Sequence, residues 1–99
     1  MFDTKYLTLK FVHYILTDMF SFTQGKVHHN LKASMIDPLK SRDFHAWTKI
    51  REYMHKGKTF KIVTEWDDVI GFYDKQNNFV ALDKDEKSFN KLVMAIKKF

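Results

Sequence analysis

His28 and His29 stand side by side, and adjacent positions on a helix point about 100° apart, so they do not converge on one ion. The five histidines form no H-x₃-H pair with a carboxylate partner, and the sequence offers no metal-ligand set. Glu65, Asp67 and Asp68 do cluster, as the carboxylates of Mg²⁺-dependent nucleases do. Here they read as turn chemistry between two strands, beside Trp66. The chain has no Cys and three Gly. That excludes a cysteine nucleophile, a P-loop and a dinucleotide-binding fingerprint, and no G-x-S-x-G elbow is present. No catalytic residue and no cofactor is expected, and the chain reads as non-enzymatic.

The chemistry that remains is that of positive charge. The net charge is +5, carried by 17 basic against 12 acidic residues. Residues 1–56 hold nine Lys or Arg and five Asp or Glu, whereas residues 57–99 hold eight and seven. Between Met19 and Ile36 there is no acid, while Lys26, Lys32, His28 and His29 all fall there. This asymmetry points to a polyanionic partner. Fifteen of the cations are Lys and only Arg42 and Arg51 are Arg. Lysines neutralise phosphate without reading base edges, which is the work of Arg forks. The expected nucleic-acid-binding set is Lys26, Lys32, Arg42, His45, Lys49, Lys56 and Lys58.

The elements that would position this set follow from periodicity. Residues 4–22 read as a helix capped by Asp3 or Thr4, with Lys10, His13, Thr17 and Ser21 as a narrow polar stripe. Its apolar girdle is wide, which marks it as a buried central helix or as a surface for a host protein or a dimer mate. Leu7, Leu9 and Phe11 also alternate with Thr8 and Lys10, so a short strand over 5–11 is an alternative. A second, shorter helix is expected over 26–36, from Val27, Leu31 and Met35.

A third helix is expected over 38–56, started by Asp37-Pro38 and stopped by Gly57. It buries Leu39, Phe44, Ala46, Trp47, Ile50, Tyr53 and Met54 and presents Arg42, His45, Lys49 and Lys56. The period then changes to two. Strands are expected at 59–66, at 69–73 with Gly71 marking a bulge, and at 79–82. A last helix over 84–98 begins at Asp83 or Asp85 and ends in Lys97 and Lys98.

The expected fold is a single α+β domain over 1–99, ordered α-α-α-β-β-β-α, with a three-stranded antiparallel meander. Its core is expected from Phe11, Ile15, Leu16, Met19, Phe44, Trp47, Ile50, Phe60, Ile62, Phe72, Phe89, Leu92 and Ile96. The order helix, helix, hairpin resembles a winged helix-turn-helix, with 38–56 as recognition helix and 58–74 as wing. With a strand at 5–11 the order resembles small toxin ribonucleases of the RelE type. Those carry arginine on the sheet, and this meander has none.

The functional expectation is a regulator contacting a nucleic-acid backbone or a nucleoprotein, as monomer or homodimer. The rival is a phage-type inhibitor that binds a host protein through helix 4–22. Cysteine-free composition, no basic n-region before an apolar run and no ~20-residue apolar stretch give a cytoplasmic expectation without a membrane segment.

Overall fold

A computed structural model describes residues 7–29 and 48–99. Its core element is a five-stranded antiparallel sheet in sequence order: β1 (Thr23–His28), β2 (Thr48–His55), β3 (Lys58–Glu65), β4 (Asp68–Tyr73) and β5 (Phe79–Ala81). Two helices, α1 (Leu9–Tyr14, continued by a π-helical turn Ile15–Met19) and α2 (Glu86–Lys98), pack on one face.

The α+β class holds, but the architecture differs from the expected one. The chain expected to be helical over 26–36 is in β1 through His28, and the C-terminal half of the expected helix 38–56 is β2. A winged helix-turn-helix with 38–56 in the groove is therefore ruled out. Residues 5–11 supply no strand in the described part, only a single bridge from Thr8 to Asp68, so the RelE-type order is absent too. Lys32, Arg42, His45, Phe44 and Trp47 lie outside the described residues.

The turns explain why β2 and β3 form. Lys56 (φ 50°) and Gly57 (φ 80°) are both left-handed, the signature of a two-residue hairpin turn whose twist matches that of the strands. Gly57 thus turns a hairpin instead of stopping a helix. β2 then pairs with β3 over eight consecutive partners, from Thr48↔Glu65 to His55↔Lys58. The next connection, Trp66-Asp67, is also two residues long, with Trp66 at φ 56°. The β3–β4 register slips where Val63 pairs with Gly71 and Thr64 with Val69. Ile70 is the extra residue, so the bulge lies next to Gly71, as expected.

α1 starts later than expected, at the Thr8 cap, whose Oγ1 accepts from the Phe11 N–H at 3.2 Å. Its last turn widens to π geometry. The Thr17 hydroxyl donates to the His13 carbonyl at 2.8 Å, and the Phe20 N–H reaches back to the Ile15 carbonyl at 3.1 Å. Such side-chain competition for a helical carbonyl disturbs the regular ladder. Ser21 (φ 62°) then breaks away. α2 begins at Asp85, which accepts from the Ser88 N–H at 2.7 Å, and the Ser88 Oγ accepts in turn from the Asp83 N–H.

The main core joins Leu7, Val12, Ile15, Leu16 and Phe22 to Tyr53, Phe60, Ile62, Val69 and Phe72 of the sheet and to Leu92 and Ile96 of α2. Phe11 and Phe89 are half-buried and stacked at 5.9 Å. Met19, expected in the core, is 60 % exposed, because the π turn rotates it outward. A second buried cluster, Ile50, Val63, Ile70 and Tyr73 with Phe79, belongs to the opposite face of the sheet. Among the described residues no helix is long and apolar enough to cross a membrane.

Candidate nucleic-acid interface

β2 alternates its side chains between the two faces. Lys49, Arg51, Tyr53 and His55 fall on the side that carries the helices, and register places Thr64, Ile62, Phe60 and Lys58 of β3 opposite them. Over the six residue steps from Lys49 to His55 the strand advances about 20 Å. Cationic or imidazole side chains therefore recur along one line of one face.

At the Lys49 end of this line lies a pocket of about 560 Å³, lined by Thr8, Leu9, Lys10, His13, Gln24, Arg51, Tyr53 and Asp67. α1 forms one wall and β1 and β2 another. The helix is anchored beside it by the Leu9 N–H donating to the Asp67 carbonyl at 2.6 Å. The buried Tyr53 hydroxyl and His13 Nδ1 share a hydrogen bond of 2.7 Å, and their rings meet edge-on. Burial pushes the Tyr53 phenol above the usual tyrosine range, and the nearby positive charge of Arg51 opposes part of that rise. The phenol is therefore neutral at physiological pH. Arg51 Nε donates to the Thr64 hydroxyl at 3.2 Å, which fixes one edge of the guanidinium while the terminal nitrogens keep donor capacity.

At the far end of β2 a smaller pocket of about 300 Å³ is lined by Phe20, Phe22, His55, Lys56, Lys58, Ile96, Lys97 and Phe99. Phe22 stacks on the His55 ring at 4.8 Å, and the Lys58 ammonium donates to the Phe99 carbonyl at 3.0 Å. Among the described residues the ion pairs are His28–Glu52 and Lys84–Asp68, both at 2.8 Å. Lys10, Lys49 and Arg51 belong to none.

Of the expected site residues, Lys26 is exposed in β1 next to the irregular Gln24/Val27 register, Lys49 is half-buried in β2, Lys56 is in the hairpin turn, and Lys58 opens β3. The structure does not gather them on a helix face. Lys49 and Lys58 instead mark the two ends of the β2 line. Sequence reasoning missed the centre of the arrangement, since Lys10 and His13 were read as a polar stripe, Tyr53 as plain core, and Arg51 was left out. The only available signal was the polar interruption of an otherwise apolar first helix. Among the described residues no group of three or more His, Asp or Glu could hold a metal ion, and Glu65, Asp67 and Asp68 sit around the β3–β4 turn. Comparison with protein-family models, with curated proteins and with solved structures found no match in any of the three.

Proposed function

We propose that this protein is a non-enzymatic binding module that holds the sugar–phosphate backbone of a single-stranded nucleic acid along β2. The observation that carries this reading is the line of cations on the helix-bearing face, Lys49 and Arg51 with Lys10 beside them and Lys58 at the far end, in which Lys10, Lys49 and Arg51 form no ion pair among the described residues. The two ends of β2 stand about 20 Å apart across the buried Tyr53, a span of roughly six stacked nucleotides at ~3.4 Å each for a strand that crosses outside the helices. A pocket at each end interrupts the track, a shape suited to an irregular single strand and unlike the smooth convex fit of a helix in a major groove. Trp66, 68 % exposed at the β3–β4 turn beside Asp67, adds an aromatic surface of the kind on which bases stack.

Four phosphates on Lys10, Lys49, Arg51 and Lys58 correspond to a log–log salt slope of about −3 for a single strand. Fluorescence anisotropy with labelled single-stranded RNA, between about 50 and 200 mM salt, measures it. Weak sequence discrimination and recovery of an intact strand are expected. Absence of binding at the lowest salt, or a slope near zero, overturns the reading.

One observation favours a second reading, a protein-binding surface on α1, where Tyr14 and Met19 are 50 % and 60 % exposed. Capture of one protein that survives nuclease treatment and is lost in Tyr14→Ala/Met19→Ala would favour it over nucleic acid.

A further inference from the structure

The larger pocket is polarised. Lys10 and Arg51 bring positive charge and hydrogen-bond donors and His13 an imidazole, whereas Asp67 and Gln24 bring acceptors. We infer that this pocket seats a single ribonucleotide unit, its phosphate held by Arg51, His13 and Lys10 and its hydroxyl and base donors accepted by Asp67 and Gln24. The inference rests on the nucleic-acid reading of the β2 line and names the chemical class that the line would take.

Size comes first. A cavity of about 560 Å³ falls within the ~300–1,000 Å³ of small-molecule sites. That is room for one nucleotide.

The phosphate end has the chemistry for one anion. Arg51 is pre-oriented by its bond to Thr64, a residue with no solvent exposure, so little side-chain freedom is lost when an oxyanion engages the guanidinium edge. Tyr53, held neutral by burial, brings no repulsion. When its O–H donates to His13 Nδ1, the neutral imidazole carries its proton on Nε2 and can donate from there.

Asp67 argues against a di- or triphosphate as the intended occupant, because a second negative group near it is repelled. A carboxylate instead accepts from a ribose hydroxyl or an exocyclic amine. Deoxyribose lacks the 2′ donor, so the pocket distinguishes RNA from DNA at this position.

The test is an NMR titration of the full-length chain with adenosine 5′-monophosphate, its 2′-deoxy analogue, adenosine and inorganic phosphate, following the Arg51 Nε–H and the Gln24 side-chain amide. Adenosine 5′-monophosphate is expected to shift both signals. Arg51→Gln should weaken it about tenfold or more, as loss of a charged hydrogen bond does. The ribose form should bind roughly threefold to tenfold more tightly than the deoxy form, a preference that Asp67→Asn removes. Lys58→Glu, at the far end of β2, should weaken a labelled RNA strand and leave the mononucleotide unchanged. The amide spectrum of each variant reports whether it is folded.

Shifts confined to other residues, a folded Arg51→Gln that binds as the parent does, equal binding of ribose and deoxyribose forms, or inorganic phosphate binding as tightly as the nucleotide would each overturn the inference. If the strand binds with the salt slope given above while the mononucleotide leaves the pocket signals unmoved, the pocket inference fails and the β2 reading stands. If the mononucleotide binds here and no strand does, the β2 reading fails and the pocket assignment stands.

Discussion

Gly71→Ala should be among the most damaging single-methyl changes available in this sheet. Gly71 lies in β4 opposite Ala81 of β5. A methyl group built on its Cα would run into Cε1 and Cζ of the Phe79 ring and would stand 2.7 Å from the Val80 carbonyl oxygen. Comfortable carbon contacts begin near ~3.5 Å. The ring is half-buried and can swing, but it then leaves its edge contact with Tyr73, now at 6.1 Å, a loss of about 0.5–1.5 kcal/mol. The carbonyl cannot swing without pulling β5 off β4, a ladder of three residue pairs extended by the Leu82 N–H bond to the Ile70 carbonyl. Overpacking of this kind costs about 1–3 kcal/mol, and the reduced freedom of the unfolded chain returns about 0.4–1 kcal/mol. The net is a loss of about 2 kcal/mol, or roughly 8–16 °C in Tm for a domain of this length. Thermal melts followed by circular dichroism measure it. Gly25→Ala is the internal control, since its new methyl would meet Met54 and Glu52 at 3.4–3.6 Å, within ordinary contact. Adding Phe79→Ala to Gly71→Ala should not restore stability, because the carbonyl clash remains. A Gly71→Ala protein melting within about 2 °C of the parent would refute the packing of β5 against β4.

Three further outcomes test the core and the ionisable groups. Leu16→Ala, at a site with no solvent exposure, should cost about 3–5 kcal/mol in chemical denaturation, whereas Met19→Ala, three positions on and largely exposed, should cost less than about 0.5 kcal/mol; equal effects would reject the π turn. The Ser88 N–H and hydroxyl hold the Asp85 carboxyl below the usual carboxylate range, so its contribution is complete above the unfolded-state value and fades as pH falls through the lower folded one. The Tm difference between parent and Asp85→Ala should accordingly shrink on acidification below about pH 4. Burial raises the Tyr53 and Tyr73 phenols, which gives the opposite sign: their contribution is complete below about pH 10 and is lost as pH rises through the higher folded values. Tyr53→Phe should flatten the alkaline loss of stability, and an unchanged alkaline limb would reject the burial of that hydroxyl.

What the sequence reveals depends on whether an element's cues are local. α2 is written in its own residues: Asp85 caps it, Leu92 and Ile96 face inward, and Lys97 and Lys98 close it. β3 and β4 show their alternation, although Val63, on the nominally outward side of β3, is fully buried. A central strand packed on both faces loses its clean period of two. The same blurring hides β2, where Ile50 belongs to one buried cluster and Tyr53 to the other. Their spacing of three, with Trp47 three residues earlier, imitates a helix face. β1 has Gly25, Lys26 and three other polar residues among its six, so its extended form comes from pairing with β2 and not from intrinsic preference.

The candidate site was hidden for the same reason, because its parts meet only through tertiary structure. His13 and Tyr53 are hydrogen-bonded across 40 positions of sequence, and nothing about either residue alone marks the contact. The change of secondary structure also alters what the lysines can do. On a helix, Lys49 and Lys56 would lie two turns apart on one face, about 10 Å from each other, a compact patch suited to one groove of a duplex. On β2 and its turn the same seven-residue spacing is about 23 Å. The two positions then belong to opposite ends of the sheet, with Arg51 and the Tyr53–His13 pair between them. An unchanged set of cations thereby becomes a line with a pocket near one end. That geometry is the one on which the proposed single strand, with one nucleotide turned into the pocket, is argued in place of the groove-bound duplex that a recognition helix would require.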